Sequence, residues 1–394
     1  MELPKDKSNL VFWMVFLIGF TILLPWNILI TVSGFWDYKF RNITQDGFNM
    51  ENSTTTDLQK LFASYVAIAS NVPNATFIIL HALIGHKFPM KLRLYGSQIG
   101  MVITLAFITI LSKLDSDDWQ DLFLNLTIVG IVFVNTFSAV FQGCVSSLLS
   151  PFPPEYLGHW VNGAGMGGLV PSLLNVVFLA VNPDVELSGF VCFVFALAIT
   201  IITLGLTFLM ERSEFYQFYS SKLYEDKEKE KLQESTFRIY LNFGASVWIY
   251  ILITLLNFTG TLCVFPAVTV LAQSYEYSGS QWDEIYYVAV CCFVIFNFAD
   301  YAGKQLAVWI QKPGPSPSGQ LVLLIAALLR LAFIPLFMFC YVSVDNRNTE
   351  IVFYSDWLYI IFMIIFGLSN GYIGNIACMF GPKVVKVQNY QVKS

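Results

Sequence analysis

The sequence predicts an all-α polytopic membrane protein of about ten spans, arranged as six followed by four. Apolar residues fill 56% of its 394 positions and charged residues only 12%, about half the ~25% charge of an average soluble domain. Runs such as Val11 to Ser33, Leu61 to Ile84 and Val322 to Val344 are almost free of charge, and about 20 helical residues cross a hydrocarbon core. One long polar stretch divides the chain.

Windows of this kind fall at 10–34, 61–84, 94–112, 122–149, 160–181, 188–210, 242–271, 285–310, 320–344 and 357–380. The opening Met1 to Leu10 is too mixed in charge for a secretory n-region. No small-residue cleavage site closes the run behind it, so the first span is expected to be retained. Glu211 to Arg238 is the longest polar stretch, and its alternating charges from Glu225 to Lys231 read as a solvated helix or linker. The expected organisation is a six-helix bundle over 1–210, a charged cytoplasmic connector over 211–241, a four-helix bundle over 242–380 and a short cytoplasmic tail over 381–394. Gln311 to Gly319, rich in Pro, Gly and Ser, is a shorter turn.

Charge sets the orientation. With the N-terminus inside, fifteen Lys and Arg face the cytoplasm, against five outside: Lys39, Arg41, Lys60, Lys113 and Arg347. A plasma membrane location with a cytoplasmic N-terminus is expected. No basic stripe is free to meet a phosphate backbone, so nucleic acid is not an expected partner. The loop after span one carries two sequons, beginning at Asn42 and Asn52, on the side the charge count places outside, where glycosylation is expected.

All seven cysteines fall in expected spans, and neither a disulfide framework nor metal-ligand spacing is visible. The three histidines make no catalytic pair and there is no phosphate-binding loop. Neither an enzyme nor an ATP-driven pump is suggested, and no cofactor or metal is called for.

The membrane interior holds the chemistry. Only Asp300, Lys304 and Arg330 are charged within spans, and an intramembrane charge costs at least ~2.5 kcal/mol unless it is paired or wet. Asp300 and Lys304 are four apart and share a helix face, with Asn297 one turn earlier. Such a stripe suits a neutral solute rich in hydroxyls and ring nitrogens; a structural salt bridge between helices is the other reading. Arg330 has nothing in its own helix to pair with and reads as structural. Gln142 in span four, and Asn71 and Asn74 around Pro73 in span two, face either partners or water. Asn162 to Gly168, with glycines at 163, 165, 167 and 168, permits close backbone approach, by packing in the first instance and by solute contact in the second.

Several of these residues stand in motifs. Leu23-Leu24-Pro25-Trp26-Asn27 resembles the signature of the equilibrative nucleoside transporters. Further matches follow in that family's order: Gln142-Gly143, the glycine cluster of span five, Val264 to Val270, Phe296-Asn297-Phe298-Ala299-Asp300, Leu329-Arg330-Leu331, Ser369-Asn370-Gly371-Tyr372 and Gly381-Pro382-Lys383. The resemblance covers nearly the whole chain. It implies a major-facilitator-like two-bundle fold and passive uniport of purine and pyrimidine nucleosides by alternating access. It also implies roles. Leu23 and Trp26 would pack near the nucleoside, Gln142 would hydrogen-bond its base, and Asn297, Asp300 and Lys304 would surround the ribose. Phe265 would be an aromatic wall, while Gly163, Gly168 and Arg330 would serve packing or gating.

The chain departs from the family in four places. Lys304 stands where Arg is usual, Asn71 and Asn74 where apolar residues are common, and Ser138 where inhibitor-sensitive relatives carry Gly. Relatives continue into an eleventh span, whereas this sequence ends at Ser394. Three functions are therefore expected side by side: nucleoside uniport, movement of nucleobases or organic monoamines, and a truncated isoform that transports nothing.

Overall fold

Several of the long helices begin where a side chain can satisfy their first amides. Asp6 accepts from Val11 N (3.1 Å) and Phe12 N (3.0 Å) and opens α1, Leu10–Thr31. After the short α2, Ser33–Lys39, Thr56 and Gln59 form a reciprocal capping box for α3, Asp57–Ile84. Next come α4, Met90–Lys113, α5, Gln120–Leu149, and α6, Pro154–Val181. Asp184 caps α7, Val185–Glu211, which precedes α8, Thr236–Leu262. Then follow α9, Trp282–Ile310, α10, Pro317–Met338, whose first turn is capped by Ser316, and α11, Asp356–Gln391.

This computed structural model describes residues 4–43, 56–181, 184–221, 236–341 and 350–391. Among them, no strand is present, and nine helices are long and apolar enough to cross a membrane. The remaining expected span, the seventh, corresponds to α8, whose apolar stretch is the shorter Val247–Leu262. Inside the helices, many hydroxyls are satisfied by the carbonyl one turn back, as for Thr21 on Leu17 O (2.9 Å), Thr104 on Gly100 O (2.8 Å) and Thr200 on Ala196 O (2.7 Å). That local bond lets a polar residue sit where no water can reach it. Outward faces are apolar, with Ile103, Ile110, Leu255 and Leu329 exposed.

Three expected C-terminal ends move furthest. Span seven ends at Leu262 rather than 271, and Phe265 lies in a run of turns that closes with a 3₁₀ turn at Thr269–Leu271. Pro266 is the cause, because proline has no amide to donate and bars its predecessor from the helical region. Span nine tightens to a 3₁₀ turn at Arg330–Ala332 and stops at Met338 rather than 344, with Pro335 in its last turns. The final helix runs on past 380 to Gln391. The first half of α9, Trp282–Val294, is largely π-helical.

The chain forms two compact units, Met1–Glu225 and Asp226–Ser394. In the first, α1 is the hub, packed chiefly on α6 and also on α7 and α5. A Cβ on Gly163 would stand 1.9 Å from Phe16 O, one on Gly167 2.5 Å from Phe20 O, and one on Gly19 2.0 Å from Trp160 O. Only glycine allows that approach. In the second unit α9 lies against α11 in the same way, through Gly303, Gly367 and Gly371.

Candidate functional site

Within the second unit, α9 presents Asn297, Asp300 and Lys304 on one face. Lys304 Nζ lies 2.7 Å from Asp300 Oδ2, and the two side chains keep 21% and 12% of their exposure, so the pair is neither sealed nor free. Asn297 donates to Phe293 O (3.0 Å), which leaves its side-chain oxygen without a partner among the described residues. Asp300 Oδ1 accepts from Asn370 Nδ2 at 2.7 Å. Asn375 Nδ2 binds Lys304 O (2.9 Å) and fastens α11 to α9 one turn further along.

Arg330, 2% exposed, fills the space behind this group. Its Nε donates to Ser369 Oγ (2.9 Å), and Nη1 to Asn257 O (3.0 Å), to Asn257 Oδ1 and to Asn370 Oδ1 (3.3 Å). Nη2 donates to Thr261 Oγ1 (3.0 Å) and Phe366 O (3.1 Å), and the guanidinium rests 5.0 Å from the Phe366 ring centre. Every side of the guanidinium is therefore hydrogen-bonded, as a charge buried in apolar surroundings requires. Phe265 is 5% exposed and stacks on Phe296 with ring centres 4.0 Å apart, next to Asn297 in sequence.

Within the first unit, Leu23 and Trp26 lie half-buried on α1 and Gln142 lies half-buried on α5. The two helices touch where Ser138 Oγ donates to Ile22 O at 2.8 Å, one turn before Gln142. The Gln142 amide makes no hydrogen bond to a described residue and retains its full capacity to donate and accept. Asn71 instead bonds back to Ala67 O (2.8 Å). Gly163 is buried against α1, and Gly168 is buried on the same helix. Asn42 is half-buried just past α2, beside Arg41, which pairs with Asp117 at 2.5 Å. Asn52 lies outside the described residues. Outside the spans, desolvation pushes the Asp37 carboxyl on α2 up to about 7.

The structure thus groups Phe265, Asn297, Asp300, Lys304 and Arg330 in one unit, and Leu23, Trp26 and Gln142 in the other. Asn257, Thr261, Ser369 and Asn370 complete the buried network, and sequence reasoning gave them no role. The spacing of Asn257 and Thr261, i and i+4 in an apolar run, was the available signal.

Charged and amide side chains knotted together inside apolar helices are expensive to maintain. A sequence model of the nucleoside transporter family matches residues 128–393, about two thirds of the chain. The chain belongs to that family. As a nucleoside transporter family member it is an integral, multi-pass membrane transport protein rather than an enzyme. It is similar to equilibrative nucleoside transporter 3 of Rattus norvegicus, 27% identical over 98% of this chain and 84% of that protein. Equilibrative nucleoside transporter 1 of Homo sapiens is 27% identical over 97% of this chain and 91% of its own length. Equilibrative nucleotide transporter 1 of Arabidopsis thaliana is 21% identical over 98% and 81%. Most of the polar cluster, from Asn257 to Asn375, lies inside the matched segment.

Proposed function

We propose that this chain carries purine and pyrimidine nucleosides across the plasma membrane by uniport through alternating access, with its N-terminus in the cytoplasm. The observation that carries the reading is Asp300. Its carboxylate is held by Asn370 on one oxygen and Lys304 on the other, inside a span, yet the pair stays partly open. A carboxylate with spare lone pairs, the free oxygen of Asn297 and the ammonium of Lys304 form an acceptor and donor array matched to ribose hydroxyls. Phe265 supplies apolar wall beside it. In the first unit, we assign the unpartnered Gln142 amide to a nucleobase edge and half-buried Leu23 and Trp26 to apolar contact with the solute. The names of the relatives support nucleosides as the solute class, and the sequons at Asn42 and Asn52 fit an external loop.

The test is uptake of labelled uridine and adenosine by the full chain in proteoliposomes without any ion gradient. Saturable uptake that stops when the two sides are equal is expected. Accumulation above the outside concentration under a proton gradient would overturn uniport, and absence of uptake of either nucleoside would overturn the substrate class.

A further inference from the structure

Arg330 is the most buried charge among the described residues of the second unit, and no hydrogen bond or ion pair joins it directly to Asp300. What connects them is Asn370. Its oxygen collects Thr261 Oγ1 at 2.8 Å, Asn257 Nδ2 at 3.1 Å and Arg330 Nη1 at 3.3 Å. Its amide nitrogen turns the other way and donates to Asp300 at 2.7 Å. The reverse orientation would set an NH₂ against the Asn257 amide and the Arg330 guanidinium, both donors, and an oxygen against a carboxylate, so only one orientation is compatible with the site. Asn257 is aligned in the same sense, its oxygen towards Arg330 and its nitrogen towards Asn370. Two amide dipoles therefore run in line from guanidinium to carboxylate, and aligned hydrogen bonds reinforce one another in a low dielectric.

The backbone holds this arrangement in register. Gly371, the next residue, packs so close to α9 that a Cβ there would stand 2.0 Å from Asp300 O. Asn370 cannot drift from Asp300 without separating the two helices.

We propose that Asn370 is a positioning residue. It transmits the charge of Arg330 to Asp300 and, opposite Lys304, fixes the rotation of the carboxylate, so that the remaining lone pairs face the solute. This rests on the reading of Asp300 as the group that meets ribose hydroxyls. Asn370 itself touches no solute in this arrangement; it acts through Asp300 alone.

The experiment compares uridine with 2′,3′-dideoxyuridine, which lacks the 2′ and 3′ hydroxyls and keeps the 5′ hydroxyl, in uptake-deficient cells with surface protein quantified by biotinylation. Asn370→Ala removes the tie, and Asn370→Ser keeps a hydroxyl for the Thr261 side while falling short of Asp300. Each should raise the uridine KM about tenfold, the loss of one buried hydrogen bond, and leave the maximal rate per surface molecule within about twofold. The dideoxyuridine KM should not change, and neither substitution should add to the effect of Asp300→Asn. Equal loss for both solutes, or loss in proportion to surface protein, would show Asn370 to be structural and overturn the proposal. Silent Asn370 variants beside an effective Asp300→Asn would also sink the relay while sparing the ribose reading. If Asp300→Asn leaves the preference for uridine intact, the ribose reading itself fails.

Discussion

The contact of α1 with α6 and that of α9 with α11 are built alike. In each, one helix contributes two glycines four apart, Gly163 and Gly167 or Gly367 and Gly371. These lie on carbonyls four apart in the partner, Phe16 and Phe20 or Phe296 and Asp300, while a single glycine of that partner, Gly19 or Gly303, returns the contact. Beyond the glycines the two diverge. The first is flanked by apolar and aromatic residues such as Phe12, Phe16 and His159, whereas the second carries Asp300, Lys304, Asn370 and Asn375 along its seam. Small residues set helix spacing in both; an ion pair is added to the second, whereas polar contacts across the first, Tyr156 to Asp6 and Asn175 to Thr31 O, lie towards its ends. In lipid, where apolar burial gives helices little reason to associate, that spacing is itself a main source of stability.

The largest expected effect tests whether the contacts are equivalent. Gly163→Val and Gly371→Val each force a branched side chain onto a backbone carbonyl, where even a Cβ would stand 1.9 and 2.0 Å from the oxygen, so the helices must part and the cost exceeds the ~1–3 kcal/mol of ordinary overpacking. Both should strip most of the monodisperse protein from a detergent extract. If one variant survives intact, the likeness between the two seams is only geometric.

Next is Arg330→Met, in the seam that carries the polar network. It leaves Asn257, Thr261 and Asn370 short of their donor, and breaking a buried ionic network of this kind typically costs ~3–5 kcal/mol. The thermal midpoint of the purified variant should fall by many degrees. An unchanged midpoint would mean that the network is not a source of stability.

Asp300 and Lys304 come third. Exchanging them, Asp300→Lys with Lys304→Asp, restores charge but moves the acceptor one helical turn and removes the carboxylate from Asn370. The exchanged protein should reach the membrane in near-normal amount and transport poorly. Uptake at close to the original rate would favour a plain salt bridge over a solute-binding role.

The smallest effect belongs to Gln142, whose amide makes no hydrogen bond to a described residue. Gln142→Ala should weaken uridine and adenosine uptake by ~1–3 kcal/mol in kcat/KM at normal surface abundance. Protein and transport falling together would assign Gln142 to packing.

The spans were legible because the bilayer imposes length and apolarity on every helix, and a hydropathy window reads both. What it missed were interruptions that leave hydropathy unchanged. Pro266 ends α8 while Val264, Phe265, Ala267 and Val268 remain as apolar as a helix interior, and the 3₁₀ turn at Arg330 is set by where that guanidinium must reach. Asp300 and Lys304 could be paired on paper because i, i+4 spacing is local. Asn370 could not be paired with Asp300, since seventy residues separate them and nothing in the sequence states which helices share a seam. The glycine cluster announced a close approach without saying that Phe16 and Phe20 lie on the other side.

Asp6 bears on how the chain is made. It caps α1 at once, through amides only five and six residues away, but its third ligand, the Tyr156 hydroxyl at 2.9 Å, is 150 residues downstream. At ribosomal rates of roughly 5–20 residues per second, the start of the first helix waits on the order of 8–30 s for the start of the sixth. During that interval the carboxylate already serves two donors, so the nascent helix can enter the bilayer with its leading turn closed. The tyrosine then fastens in place an end that was already stable alone.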